Sequence, residues 1–186
     1  MKPTIKDLGF KLCRKGIYRG ISFELVQWKD SERDEEFHSN YYIYINEKQV
    51  PREHFAKIIS HEVYIFNAKV HGYRGTEFLM SLSWHGDMTF YDLLGGKDGI
   101  SCVVKAGCDY SHLADMERGF DYKMEDLLED VCNTIDDLGE KAPWLKIWCR
   151  GCGALEAPFI DWNGLEVFYC EKCKEKNKTL GEEENA

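Results

Sequence analysis

Met124-Glu-Asp-Leu-Leu-Glu-Asp-Val-Cys-Asn-Thr-Ile-Asp-Asp-Leu138 is the segment from which the architecture follows. Its apolar residues, Met124, Leu127, Leu128, Val131, Cys132, Ile135 and Leu138, recur at spacings of three and four, the mark of an amphipathic helix. The opposite face carries Glu125, Asp126, Glu129, Asp130, Asp136 and Asp137. Gly139 is expected just past the helix cap, and Pro143 prevents the helix from resuming. Burying such a stripe needs a sheet. The expected fold class is therefore α+β, a largely antiparallel sheet with one long amphipathic helix packed on it. Cys132 lies in the stripe and reads as a small core residue.

Upstream, Gly16 to Trp28 is rich in β-branched and aromatic residues, which predicts a strand from about Tyr18 to Trp28. Lys29 to Glu36 has no apolar residue and reads as a solvated loop. Tyr41-Tyr-Ile-Tyr-Ile45 predicts a second strand. Asn46-Glu-Lys-Gln49 follows as a turn, and Pro51 leads into a short helical segment around Arg52 to Ile59. Glu77 to Trp84 and Met88 to Tyr91 suit strands flanking His85-Gly-Asp87, and Ile100 to Ala106 a further strand. The glycines of Gly95-Gly-Lys-Asp-Gly99 lack the spacing and following helix of a phosphate cradle, so a hairpin turn is expected there.

The chain has 186 residues, 44% of them hydrophobic and 31% charged, which suits one globular domain with a small appendage. With 24 basic against 33 acidic side chains the net charge is -9, which argues against nucleic-acid binding by bulk phosphate neutralisation. No run approaches the ~18 apolar residues of a membrane helix, and the first residues lack the apolar core of a secretory signal. These features place the chain in a cytoplasm, away from membranes.

Four of the eight cysteines fall in two pairs, Cys149-Arg-Gly-Cys152 and Cys170-Glu-Lys-Cys173, with seventeen residues between the inner members. A two-residue gap lets both thiolates of a pair face one ion at ~2.3 Å, and a second pair alongside completes a tetrahedron. Between them, Asn163-Gly164 is flanked by Phe159-Ile-Asp-Trp162 and Leu165-Glu-Val-Phe-Tyr169, a strong hairpin signal. The expectation is a small C-terminal zinc-ribbon β-hairpin in which Cys149, Cys152, Cys170 and Cys173 hold one structural Zn2+. Four thiolates leave no open position for water, so that zinc is not catalytic. The chain then divides into residues 1–141, the α+β domain, 142–178, the ribbon, and 179–186, a polar disordered tail.

A second constellation joins His85 to Asp109, His112 and Asp115. Both segments follow predicted strands, so one end of the sheet is expected to bring them together. Asp109, His112 and Asp115 are three residues apart, which suits one helical turn or an irregular loop. Imidazole and carboxylate there suit a second divalent metal, a ligand or shared protons. The competing structural reading has Asp109 capping a turn, His112 hydrogen-bonded near the core and Asp115 solvated. Cys108 as a nucleophile assisted by His112 or His85 lacks a recognisable local signature. His38, His54, His61 and His71 read as surface or packing residues.

At these residues the chain resembles a group of small uncharacterised proteins common in tailed phages and prophages. That group carries a His-Gly-Gly-(Leu/Ile)-Thr segment, then Gly-Phe-Asp-x-x-His-x-x-Asp, then a helix. The counterparts here are His85-Gly-Asp-Met-Thr89 and Gly107-Cys-Asp-Tyr-Ser-His-Leu-Ala-Asp115, with the helix from about Met124. Tyr41-Tyr-Ile-Tyr-Ile45 and Val50-Pro-Arg-Glu-His54 look like the group's aromatic strand and its proline and histidine stretch. The likeness covers roughly residues 40 to 140 by motif order. Asp87 replaces the second glycine, Cys108 replaces the aromatic residue before Asp109, and the ribbon is an addition. The resemblance implies a shared site at His85, Asp109, His112 and Asp115 and carries no reaction with it.

Two functional classes follow. The first is a phage or mobile-element accessory protein that binds a host protein or small ligand, with counter-defence as a role. The second is a metal-dependent hydrolase acting on a nucleotide or phosphodiester, with the histidine and aspartate cluster holding the ion that activates water. Nucleic-acid binding through the knuckle lysines is opposed by charge, since residues 142–186 hold six Lys or Arg against eight Asp or Glu.

Overall fold

Alternation along the strands decides which face of the sheet receives the helix. The computed structural model describes residues 10–28, 38–59, 76–95, 102–110, 122–149, 152–155, 157–158 and 170–173. Its elements in chain order are β1 (Phe10–Tyr18), β2 (Ile21–Trp28), β3 (His38–Asn46), α1 (Phe55–Ile58), α2 (Glu77–Met80), β4 (Phe90–Leu94), β5 (Val103–Asp109), α3 (Met124–Lys141), β6 (Lys146–Ile147) and β7 (Ala157–Pro158). Short 3-10 turns cover Glu47–Gln49 and Arg52–His54. Strands β1 to β5 form one antiparallel sheet in the order β1-β2-β3-β5-β4. The acidic loop from Lys29 to Glu36, the glycines from Gly96 to Gly99, the hairpin around Asn163-Gly164 and the polar tail lie outside the described residues.

Ile21, Phe23 and Leu25 of β2, Tyr41, Ile43 and Ile45 of β3, and Val104, Ala106 and Cys108 of β5 are buried. Register sets them side by side, with Ile43 opposite both Phe23 and Ala106, and Tyr41 opposite Cys108. Helix α3 packs against β2 and β3 with Leu127, Val131, Ile135 and Leu138 fully enclosed. Each such side chain contributes about 1.5–3 kcal/mol by leaving water.

Strands β1 and β2 meet at Arg19-Gly20, where both residues have positive φ, 46° and 77°. That is the two-residue turn whose twist matches a hairpin. It moves the start of the strand expected from Tyr18 to Ile21 and makes Tyr18 the end of β1. Gly20 is required twice, because a Cβ there would stand 2.5 Å from Cγ2 of the buried Ile147. Arg19 pairs with Asp136 of α3, and the Tyr18 hydroxyl donates to the same carboxylate at 3.3 Å. The hairpin end is thus tied to the helix.

Two expectations are corrected. Glu77–Met80 is a helical turn rather than a strand, because Thr76 caps it by accepting the Leu79 N–H at 3.1 Å. Helix α3 also runs through Gly139 to Lys141. The Ala142 N–H donates to the Leu138 carbonyl at 2.8 Å, and the Lys141 ammonium donates to the Ser81 carbonyl at 2.6 Å and to Asp137 at 2.9 Å. A cation with a carbonyl partner sustains the extra turn, and Pro143 then ends it. Beyond the helix, Leu145 and Ile147 belong to the same buried cluster as the sheet, and Gln49 Nε2 donates to the Lys146 carbonyl at 3.0 Å. Among the described residues no helix is long and apolar enough to cross a membrane.

The face turned away from α3 is ionic and aromatic. Glu24 accepts from the Tyr44 hydroxyl and the Cys13 thiol, and it pairs with Lys15 at 3.3 Å and Lys105 at 3.6 Å. Burial works to raise the Glu24 carboxyl, but the hydrogen bonds from Tyr44, Cys13 and Lys15 and the charge of Lys105 outweigh it and hold the group at about 2. A carboxyl lowered on folding stabilises the fold above its unfolded value of 4.5 and loses that contribution as pH falls toward about 2. Urea midpoints of the unaltered chain are therefore expected to fall more steeply than those of Glu24→Gln over that window. Parallel curves would contradict the assignment.

Candidate functional site

The first cysteine pair is shaped by its own backbone. The Cys149 N–H donates to the Ala154 carbonyl and the Gly153 N–H to the Cys149 carbonyl, each at 2.8 Å. Gly153 takes the positive φ, 70°, that the tight turn needs. The second pair sits on a single turn closed by the Cys173 N–H on the Cys170 carbonyl at 2.9 Å. The Cys170 N–H donates to Cys149 Sγ at 3.2 Å, a contact that favours the thiolate. Cys152 Sγ stands 3.7 Å from Cys170 Sγ, and all four sulfurs lie within 4.8 Å of one another.

None of these four cysteines is joined in a disulfide. The 3.7 Å between the Cys152 and Cys170 sulfurs is far beyond a disulfide bond of ~2.05 Å. It matches the ~3.8 Å edge of a tetrahedron with metal–sulfur bonds of ~2.3 Å. Crowded thiolates repel one another, and a divalent cation removes that cost. The four cysteines can hold a metal ion, and among the described residues they are the one group of three or more metal-ligating side chains brought together.

His85 follows α2 and is fixed from several sides. Its backbone N–H donates to the Tyr41 hydroxyl at 3.0 Å, and that hydroxyl lies 2.8 Å from Thr134 Oγ1 on α3. Its Nδ1 lies 3.1 Å from Asp130 Oδ2, which also accepts the Tyr110 hydroxyl at 2.6 Å. The imidazole stacks on Tyr110 at 3.9 Å between centroids and meets Tyr122 edge-on at 5.3 Å. Sequence reading placed Asp130 on the charged face of the helix. The one available signal was its place immediately before Val131, at the margin of the buried stripe.

Asp109 has different surroundings. It lies on β5 between the buried Cys108 and Tyr110, so alternation assigns it to the opposite face, across from Asn40. Its N–H donates to Thr89 Oγ1 at 3.0 Å. His112 and Asp115 lie outside the described residues. Among the described residues, Asp130, Tyr110 and Tyr122 meet the His85 imidazole. Burial pushes the Cys108 thiol up to about 12, which leaves it protonated at neutral pH and without nucleophilic activation. His38 stacks near Trp28 and His54 on Trp144, as packing residues do.

Compared with protein-family models, curated proteins and solved structures, the chain matches none of them.

Proposed function

We propose that the chain is a binding protein, a phage or mobile-element accessory factor that engages a host protein or small ligand in the host cytoplasm, with counter-defence as its role. One structural zinc at Cys149, Cys152, Cys170 and Cys173 stiffens its C-terminal part. The observation that carries this reading is the closed sulfur set, whose four ligands within 4.8 Å leave a tetrahedral ion no position for water or substrate. Rigidity of this kind lowers the entropy cost of presenting a binding surface. The acidic surface, net charge -9, slows encounter with anionic substrates and favours a basic partner. The phage assignment rests on the motif resemblance alone.

The hydrolase reading, acting on a nucleotide or phosphodiester, has one point in its favour. Asp130 holds His85 by Nδ1, an arrangement that orients an imidazole for ligation or proton transfer. Metal analysis and turnover assays separate the two. One zinc per chain and no hydrolysis of nucleotides or phosphodiesters is expected. A second bound ion, with turnover lost on His112→Ala while the fold is kept, would replace the binding reading by the hydrolase.

A further inference from the structure

The two edges of the sheet, β1 and β4, are treated differently. At β4 the register with β5 faces the Leu93 backbone outward, and its N–H donates to the Asp92 carboxylate at 2.9 Å. That takes up a donor which another strand would use. Nothing comparable occurs at β1 among the described residues. The turn at Arg19-Gly20 makes Tyr18 and Ile21 a hydrogen-bonded pair, and alternation along the register then turns the N–H and C=O groups of Cys13, Lys15 and Ile17 away from β2. Cys13, Arg14, Lys15 and Ile17 are exposed, and Ile17, at 59%, is the most exposed large apolar residue among those described. This edge is therefore reachable from solvent.

The side chains along it indicate what kind of strand fits. β1 carries Lys11, Arg14 and Lys15 and no acidic residue, in a chain whose net charge is -9. Lys15 and Lys105 share the single carboxylate of Glu24, at 3.3 and 3.6 Å, which leaves one positive charge over. Basic residues on an edge strand repel a like-charged strand, a second copy of β1 included, and for the same reason select an acidic one. Ile17 lies two residues from Lys15, on the same face. Gly16 puts no side chain on the other face, and the Phe23 ring reaches over it, since a Cβ on Gly16 would stand 2.4 Å from Phe23 Cζ. That ring is the neighbour of any residue added opposite Gly16.

We propose that the open edge of β1 receives an extended, acidic segment of a partner protein as a sixth, antiparallel strand. The added backbone bonds to Cys13, Lys15 and Ile17, and cross-strand pairing selects its side chains. Antiparallel register sets an apolar residue opposite Ile17, then one residue opposite Gly16, then two acidic residues opposite Lys15 and Arg14. At physiological salt, exposed charges beyond about 8 Å are largely screened, so the local basic surplus decides this contact rather than the net charge. The edge is separate from the acidic surface invoked above for a basic partner, and the proposal does not depend on that reading.

The test uses the full chain with acetyl-Thr-Val-Thr-Glu-Glu-Val-Thr-amide, its Lys-Lys counterpart, and the acidic peptide N-methylated on its first glutamate. Amide exchange and chemical shifts of Cys13, Lys15 and Ile17 are followed by NMR, with thermal melts of every variant to recognise unfolding. The acidic peptide is expected to bind about tenfold more tightly than the lysine peptide and to slow exchange of those three amides. N-methylation removes the donor opposite Lys15 and is expected to weaken binding about tenfold. Ile17→Pro removes an outward N–H but no bond to β2, and is expected to weaken binding about fivefold or more. Arg14→Glu with Lys15→Glu is expected to reverse the preference in favour of the lysine peptide. No binding of the acidic peptide, equal binding of the two peptides, or unchanged binding after N-methylation or in folded Ile17→Pro would each overturn the proposal. So would protection of the three amides without peptide. If that protection is independent of concentration the chain covers its own edge, and if it rises with concentration a second copy does.

Discussion

Cys170→Ser is expected to come out of purification with roughly tenfold less metal than the unaltered chain and to lose the compact arrangement around Cys149. Cys170 contributes in two ways. Its sulfur lies 3.7 Å from Cys152 Sγ, and its backbone N–H donates to Cys149 Sγ. Serine removes a soft ligand and leaves three crowded thiolates for an ion that prefers four. Metal binding at such a centre is itself folding free energy, on the order of 10 kcal/mol for structural zinc, far more than the local hydrogen bonds supply. The helical signal of α3 is expected to persist, because Leu127, Val131, Ile135 and Leu138 rest on the sheet. Metal content by mass spectrometry and far-UV circular dichroism read the two effects. Unchanged metal content would remove the four-cysteine assignment.

What could be read from the sequence depended on how tightly residue type constrains geometry. A two-residue gap between cysteines allows few arrangements, so Cys149, Cys152, Cys170 and Cys173 were legible as one group before any coordinates. Tyr41 to Ile45 was legible as a strand because every residue in it is aromatic or β-branched, and Tyr41, Ile43 and Ile45 are the buried ones. Glu77 to Trp84 misled because a short apolar run has the same composition in a strand and in a buried helical turn. Thr76 was the deciding residue, since its side chain caps a helix start and would do nothing comparable for a strand. The turn at Arg19-Gly20 was hidden for a related reason. Arginine seldom takes positive φ, and here its guanidinium is held by Asp136, a residue more than a hundred positions away. Separation in sequence also concealed Asp130 as the partner of His85, and it concealed that Asp109 on β5 lies opposite Asn40 on β3 rather than beside the imidazole. Contacts between elements are set by register and packing, which local patterns do not encode.

Register also makes a glycine in the middle of β5 sensitive to the smallest substitution. Gly107→Ala is expected to destabilise the fold by about 3 kcal/mol or more, although alanine is the better strand former. Gly107 lies opposite Tyr42 on β3 and Phe90 on β4. An added Cβ would stand 2.4 Å from the Tyr41 carbonyl oxygen and 2.4 Å from Tyr42 Cδ1. The Tyr42 ring has little room to yield. Lys105 Nζ lies 3.8 Å from its centroid, Phe90 meets it edge-on at 5.2 Å, and its hydroxyl accepts from Asn40. The Tyr41 carbonyl is backbone, so relieving that contact means moving β3 against β5, and with it the Tyr41 side chain that holds His85 and Thr134. The gain in strand propensity is well under 1 kcal/mol and does not offset a shift of two central strands. Gly153→Ala provides the comparison, since a Cβ there meets nothing within 4 Å and the cost is that of its positive φ alone, about 1–2 kcal/mol. Urea denaturation of the two variants in the metal-bound chain should therefore rank Gly107→Ala as clearly the more damaging. If the two midpoints fall together, Tyr42 moves aside more easily than its contacts imply, and the outer face of the sheet is softer than its ion pairs and ring contacts suggest.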